Sequence, residues 1–291
     1  MNRLRHMSRG VGLLALLLAA GTSCSSVAGN PSTAPSKAAG AEALPPLPMV
    51  MEPHAVGLLK AMTDRLSAAR SMGFTAVVEI EAPSRLGPPL IYASRYDVTM
   101  RRPDQLRVIL SGDGPASELY YDGQTIVAYA PAEDVAAVAP APPTIDAALK
   151  QAFDNAAIYF PFTDVIAANP GALLIEGGKL AFTMGQSRVV GGTRTDIVAW
   201  ADDDVFVQIW IGTDDKLPRR VRAVYRNDPL RLRHDMALSN WRLNTAPAWA
   251  GSPSARARAA PRIPFARPDR RAPGPGAAPQ PAPHTQQEGT R

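Results

Sequence analysis

The sequence predicts an α+β fold, a curved antiparallel sheet with helices lying in its hollow. Three observations predict it. Apolar and polar residues alternate with period two in run after run along the chain, the pattern of strands with one face on a core and one in water. Short Asp-, Gly- and Pro-containing turns join many of the runs, which favours antiparallel neighbours. Two helical patterns, one before the first strand and one at mid-chain, have this sheet to lie on.

The ends of the chain differ from its middle. Of 291 residues, 51 are Pro or Gly, and the prolines crowd into the two termini, so one folded body between disordered ends is expected. The net charge of +5 is misleading in the same way. Arg3, Arg5 and Arg9 precede an apolar run of ten, Val11 to Ala20, too short to span a bilayer and suited to a signal-peptide core, residues 1–23. Seven arginines against two acids follow from Ser252. The body from Ser25 to Gly251 is left with −3, which argues against a nucleic-acid-binding fold.

Gly21-Thr22-Ser23-Cys24 resembles the lipobox of bacterial lipoproteins, in which the cysteine is acylated and becomes the new N-terminus. Cys24 is the chain's one cysteine, so no intrachain disulfide can form. The resemblance implies a membrane anchor of several acyl chains and a periplasmic location, with Ser25 resembling the outer-membrane sorting signal. Ordinary cleavage nearby, after Ala28, is the alternative. Residues 24–52 then form a tether of Ser, Ala, Pro and Gly, spanning roughly 30 Å on average.

Residues 53–246 form the expected sheet domain. Pro53 to Met72 reads as a helix, with Val56, Leu59, Met62 and Leu66 in one stripe and Gly73 past its end. Phe74 to Glu81 is the first strand. Ile91 to Arg101 is the second, with Tyr92, Tyr96, Val98 and Met100 on one face and Arg95, Asp97, Thr99 and Arg101 on the other. Arg102-Pro103-Asp104 stops it, because proline has no N–H to continue the ladder. Leu106, Val108 and Leu110 alternate with Gln105 and Arg107 in the third. A fourth starts near Glu118, turns at Asp122-Gly123, and leads to Gln124–Ala130 and a proline-rich connection, Pro131 to Pro143.

Thr144 can cap a helix in which Ile145, Leu149 and Phe153 recur every four residues. With a short turn after Pro161, this apolar insert from Thr144 to Leu174 is the candidate lid. Strands resume near Lys179–Val190, Thr195–Ala201, Val205–Gly212, Arg219–Arg226 and Leu230–Asn244. Residues 247–291 are Pro-, Ala- and Arg-rich and read as a disordered tail, with Arg262-Ile263-Pro264-Phe265 as an island of edge-strand character.

Arg102-Pro103-Asp104, Leu106-Arg107, Tyr121-Asp122-Gly123, Thr144-Ile145-Asp146, Leu217-Pro218-Arg219 and Ser239-Asn240-Trp241-Arg242-Leu243-Asn244 stand in the order and spacing of a family of predicted periplasmic proteins, domain of unknown function 2092. The chain resembles it over roughly Pro53 to Asn244. That family is grouped by fold with the lipoprotein carriers LolA and LolB. The resemblance implies an unclosed half-barrel with a helical lid and an apolar cavity for a lipid, an acyl chain or a lipoprotein.

No catalytic constellation stands out, and the expectation is a protein that is not an enzyme. His54 and His234 lack close metal-ligand spacing, so neither metal nor cofactor is expected. Asp202-Asp203-Asp204 reads as a solvated hairpin turn. His234-Asp235 has the residues of a base and its orienter but no nucleophile motif beside it, and it reads as a surface strand pair. The candidate ligand-lining residues are Val78, Ile80, Val98, Met100, Val108, Leu110, Leu149, Phe153, Val207 and Ile209. They either line one concavity or form a closed core, in which case the protein is a structural or interaction lipoprotein. The basic tail, with Arg256, Arg258, Arg262, Arg267, Arg270 and Arg271, is a second candidate, for an anionic envelope surface.

Overall fold

The computed structural model describes residues 49–245 and 252–267. The signal, Cys24 and most of the tether lie outside the described residues. Among the described residues, thirteen strands are hydrogen-bonded in the order β1-β8-β9-β10-β11-β12-β2-β3-β4-β5-β6-β7-β13. They are β1 (Val50–Met51), β2 (Ser71–Ala82), β3 (Leu90–Arg101), β4 (Gln105–Gly112), β5 (Ser117–Tyr121), β6 (Thr125–Ala130), β7 (Val135–Pro140), β8 (Leu180–Ser187), β9 (Thr195–Ala201), β10 (Val205–Gly212), β11 (Pro218–Tyr225), β12 (Arg233–Leu243) and β13 (Arg262–Ile263). The helices are α1 (Pro53–Ser67), α2 (Ile145–Ala156), α3 (Thr163–Ile166), α4 (Gly171–Leu174) and α5 (Ala255–Ala259). The end pairs, β1 with β8 and β13 with β7, are parallel. The order has two ends and does not close, so the class is the expected α+β one, dominated by antiparallel pairs.

The chain divides into two compact units. The first holds, among the described residues, 49–68, Val77–Ala93 and Asn169–Ser239. Here α1 packs on β8, β9 and α4. Its buried face is Ala55, Leu58, Leu59, Met62, Thr63 and Leu66, turned slightly from the expected stripe, and it stops at Ser67. Ser71 and Met72, expected in the helix, open β2 instead. Glu52, just before α1, uses its carboxylate on β8, accepting from the Thr183 backbone N–H at 2.6 Å and its hydroxyl at 3.0 Å. Those bonds hold the Glu52 carboxyl below the usual range. Asp202 Oδ1 accepts from the N–H groups of Asp204 and Val205, so the Asp triplet is a turn closed by its own side chain.

The second unit holds Ala69–Ala76, Ser94–Ala168 and the described residues from Asn240 on. One cross-strand row carries Met100, Leu106, Tyr121 and Ile126, all buried. Helix α2 covers it with Ile145, Ala148, Leu149 and Ala152. The Thr144 hydroxyl accepts from the Ala147 N–H, the expected cap. Phe160 and Phe162 stack at 5.4 Å, and Phe162 meets the rings of Tyr96 and Phe74 edge-on at 5.3 and 5.7 Å. Arg102 donates to the carbonyls of Ala69 at 3.1 Å and Ala167 at 2.9 Å, tying the segment before β2 to the C-cap residue of α3.

Two expectations are corrected in this unit. Val135–Pro140, placed in a proline-rich connection, is strand β7, paired antiparallel with β6 from Thr125↔Pro140 to Ala130↔Val135. The prolines flank its apolar core, and Pro140 falls at the strand's last residue, where a missing N–H costs little. The tail's described part is also ordered. Ser254 caps α5, and Ala257 and Ala260 pack on Tyr120, Val127, Tyr129 and Ala136. The Ala136 N–H donates to Pro261 at 2.9 Å, and Arg262–Ile263 adds an edge strand to β7. Arg267 donates to the carbonyls of Phe153 and Asp154 at the C-terminal end of α2 and lies over the Phe153 ring. A cation there meets both the orphan carbonyls and the negative end of the helix dipole. Residues 268–291, with Arg270 and Arg271, lie outside the described residues.

Two substitutions test these contacts by urea denaturation. Phe162→Ala empties the centre of the aromatic cluster and is expected to cost about 3–5 kcal/mol. Arg102→Met keeps the stem and removes both carbonyl bonds, with an expected loss of roughly 1.5–3 kcal/mol. A change under about 0.5 kcal/mol in either, the range of ordinary surface substitutions, would show that the contact does not hold the unit together.

Candidate functional site

The ten apolar candidates fall in different units. Val78, Ile80, Val207 and Ile209 belong to the first; Val98, Met100, Val108, Leu110, Leu149 and Phe153 belong to the second. Seven of them are buried, and Ile80, Leu110 and Phe153 are half-buried. In the second unit only Leu149 borders the fissure that remains under α2, with Leu106, Leu119, Tyr121, Ile126, Ala148 and Ala152. The fissure measures about 180 Å³, and none of it is wide enough for a water molecule. Packing under α2 is close in this unit. Tyr121 is the one aromatic ring on the fissure wall, and the buried rings of Phe74, Tyr96, Phe160 and Phe162 form a separate cluster.

A wide opening in this unit lies on the opposite side of the strands. A solvent-open basin of about 660 Å³ is lined by Thr75 of β2, Arg95, Asp97 and Thr99 of β3, Arg107 and Ile109 of β4, and Asn240, Trp241 and Arg242 of β12. The lining carries three guanidinium groups against one carboxylate. Alternation places Arg95, Asp97 and Thr99 together on this face, and Thr99 stands directly across from Arg107.

A chain of hydrogen bonds orders the floor. The Asn240 amide donates to the Thr75 hydroxyl at 3.2 Å, Thr75 donates to Asp97 Oδ1 at 2.7 Å, and Arg95 grips both Asp97 oxygens at 3.0 and 3.1 Å. The Arg95 bonds first, then that of Thr75, hold the Asp97 carboxyl below the usual aspartate range. Arg107 lies over the Tyr120 ring, its cross-strand neighbour, at 5.9 Å.

Backbone conformation brings in Arg242. Asn240 has φ of +56°, the left-handed region that Asn tolerates better than most residues. Before it, Met236 and Leu238 are the buried residues of β12; after it, Trp241 packs on Phe74 at 4.7 Å. The alternation has changed phase, and Arg242 now faces the basin. Gly73 makes room, because a Cβ there would lie 3.1 Å from Arg242 Nε.

A family model described as Predicted periplasmic protein (DUF2092) matches residues 55–259. The chain belongs to this family. A comparison with curated proteins gives no match. Among solved structures, the chain is similar to the lipoprotein LppX of Mycobacterium tuberculosis, at 12% identity over 68% of this chain and 99% of that one, with a TM-score of 0.42. It is similar to LprF of Mycobacterium bovis at 18% identity over 69% and 99%, with a TM-score of 0.43. It is also similar to a LolA superfamily protein of Nitrosomonas europaea at 11% identity over 67% and 97%, with a TM-score of 0.29.

Among the residues that carry the family resemblance, Leu106 and Tyr121 belong to the buried row under α2. Arg102, Thr144 and Asn244 latch backbone: Asn244 accepts from the Arg70 N–H at 2.8 Å. Arg107, Asn240, Trp241 and Arg242 line the basin. The His234-Asp235 pair of the first unit is not a base and its orienter. Asp235 is engaged by Arg220, and His234 sits edge-on to Tyr225, with burial lowering its pKa.

Alternation marks Arg95, Asp97, Thr99 and Arg107 as a wet strand face and no more. The usable signal was their cross-strand register with Asn240–Arg242, which alternation alone does not supply. A carboxylate with a lowered folded pKa contributes stability above its ordinary pKa and loses it as pH falls through the lowered value. Carbon NMR of the Asp97 carboxyl is expected to give a midpoint below the usual aspartate range, and Arg95→Gln is expected to raise it. An unchanged midpoint in Arg95→Gln would show that the ion pair does not order the basin.

Proposed function

We propose that this family member is a non-enzymatic envelope lipoprotein, moored through an acylated Cys24, with its folded body facing the periplasm and the outer membrane as the favoured site. The body acts as a binding module through its surface. The observation that supports this reading is the contrast within the second unit: the fissure under α2 is too narrow for water, and the basin on the opposite face is cationic and hydrogen-bonding. The basin supplies no nucleophile beside a base. Asp97, its one carboxylate, is held charged by Arg95, and the Thr75 hydroxyl is tied to it. Such a site is built to hold a ligand rather than to transform one.

A second reading keeps a lipid, an acyl chain or a lipoprotein as ligand beneath α2. The fissure there supports it, since apolar side chains dominate its walls. In that reading α2 must lift from β4–β6 to admit the ligand.

Two measurements separate these possibilities. Cys24→Ala is expected to abolish fatty-acid labelling and to move the protein from the membrane to the soluble fraction; unchanged labelling would overturn the anchor. Native mass spectrometry of protein purified from cells is expected to show no retained acyl lipid. Stoichiometric lipid that persists in Arg242→Gln would favour the second reading.

A further inference from the structure

We propose that the basin of the second unit is a binding site for a phosphorylated polar group, that is, a phosphate ester attached to a sugar- or glycerol-sized body. The inference rests on the surface-binding reading above and names its ligand class.

Charge is the first ground. Three guanidinium groups and one carboxylate line the basin, leaving an excess of two positive charges. A phosphate monoester carries about −1.5 to −2 near neutral pH, so it meets that excess more fully than a single carboxylate does. Arginine is also the suitable cation, because its planar fork presents paired N–H donors to two phosphate oxygens at once. The Thr99 hydroxyl and the Asn240 amide stand among the same lining residues as further hydrogen-bonding groups.

Preorganisation is the second ground. Each arginine is already positioned before a ligand arrives. Arg95 is clamped by Asp97, which is held by Thr75 and through it by Asn240. Arg107 rests on Tyr120, whose hydroxyl is tied to Glu118, and Glu118 in turn accepts from Ser254 at the cap of α5. Arg242 lies against the bare backbone of Gly73. Side chains ordered in advance lose little freedom on binding, so more of the charged contact remains as affinity.

Size is the third. About 660 Å³ falls within the usual range for small-molecule sites and exceeds what a lone phosphate fills. Clustering in one basin, rather than along a stripe, favours a compact anion over an extended polyanion.

The test uses the full chain carrying Cys24→Ala, titrated calorimetrically and by phosphorus NMR with inorganic phosphate, glucose 6-phosphate and glucose. Vesicles of phosphatidylcholine with and without phosphatidic acid form a further arm. Saturable binding of glucose 6-phosphate is expected, with affinity falling as salt rises. Arg242→Gln and Arg107→Gln are each expected to weaken it about tenfold, the effect of one charged hydrogen bond. Thr99→Val, a milder change, guards against loss of folding and is expected to weaken it less. Arg85→Gln, in an exposed loop of the first unit, is expected to leave it unchanged. Binding confined to the soluble ester assigns a free phosphorylated compound; binding to phosphatidic acid vesicles as well assigns a lipid headgroup. Either supports the site.

The site is overturned if no phosphate probe binds, if glucose binds as well as its phosphate, or if Arg85→Gln weakens binding as much as Arg242→Gln. The same spectra keep the two readings apart. Released inorganic phosphate would overturn the non-enzymatic reading while leaving the site in place.

Discussion

Neighbouring cross-strand rows of a pleated sheet point to opposite sides, and the second unit is built on that constraint. Met100, Leu106, Tyr121 and Ile126 form one row. Thr99, Arg107, Tyr120 and Val127, one residue away on each strand, form the next. The first row is sealed by α2. The second passes from the basin at Thr99 and Arg107 to a small apolar cluster at Tyr120 and Val127 under α5. A one-residue slip between β3 and β4 would place arginine under α2 and leucine in the basin. Core and basin are therefore held in register by the same hydrogen bonds.

Chain ends are closed by side chains that lie far away in sequence. Arg102 meets the carbonyls of Ala69 and Ala167, Arg267 meets those at the end of α2, and Glu52 meets the backbone of β8. The cause is common to all three. Short helices and strand entries leave N–H and C=O groups that burial would make costly, and a charged side chain satisfies them strongly. Gly73 and Asn240 serve the basin in a similar way, one by omitting a side chain and the other by turning the backbone through positive φ.

Much of the fold was legible because period-two alternation is a local property. The strands from β2 to β6 and from β8 to β12 fall where alternation places them, and α2 begins at Thr144 as its cap chemistry requires. Strand β7 was hidden because Val135–Ala139 is small and apolar on both faces, so no alternation marks it among prolines. The ordered part of the tail was hidden because Ala257 and Ala260 are weak core residues unless a ready apolar surface is beside them. Arg267 looked like one more solvated cation, since nothing local reveals a helix end 113 residues earlier in the chain.

Alone, the sequence determined the class, the faces of the long strands, the capping of α2 and membership of the family. Those features depend on residue type and on spacing within a few positions. Tertiary structure alone decided how the rings of Phe74, Tyr96, Phe160 and Phe162 meet, since their partners come from separate stretches of the chain. It also decided that the wet side of β3 and β4 is a cationic basin. Arg95, Arg107 and Arg242 stand far apart along the chain, and they converge only because strand pairing and the bend at Asn240 bring them to one place.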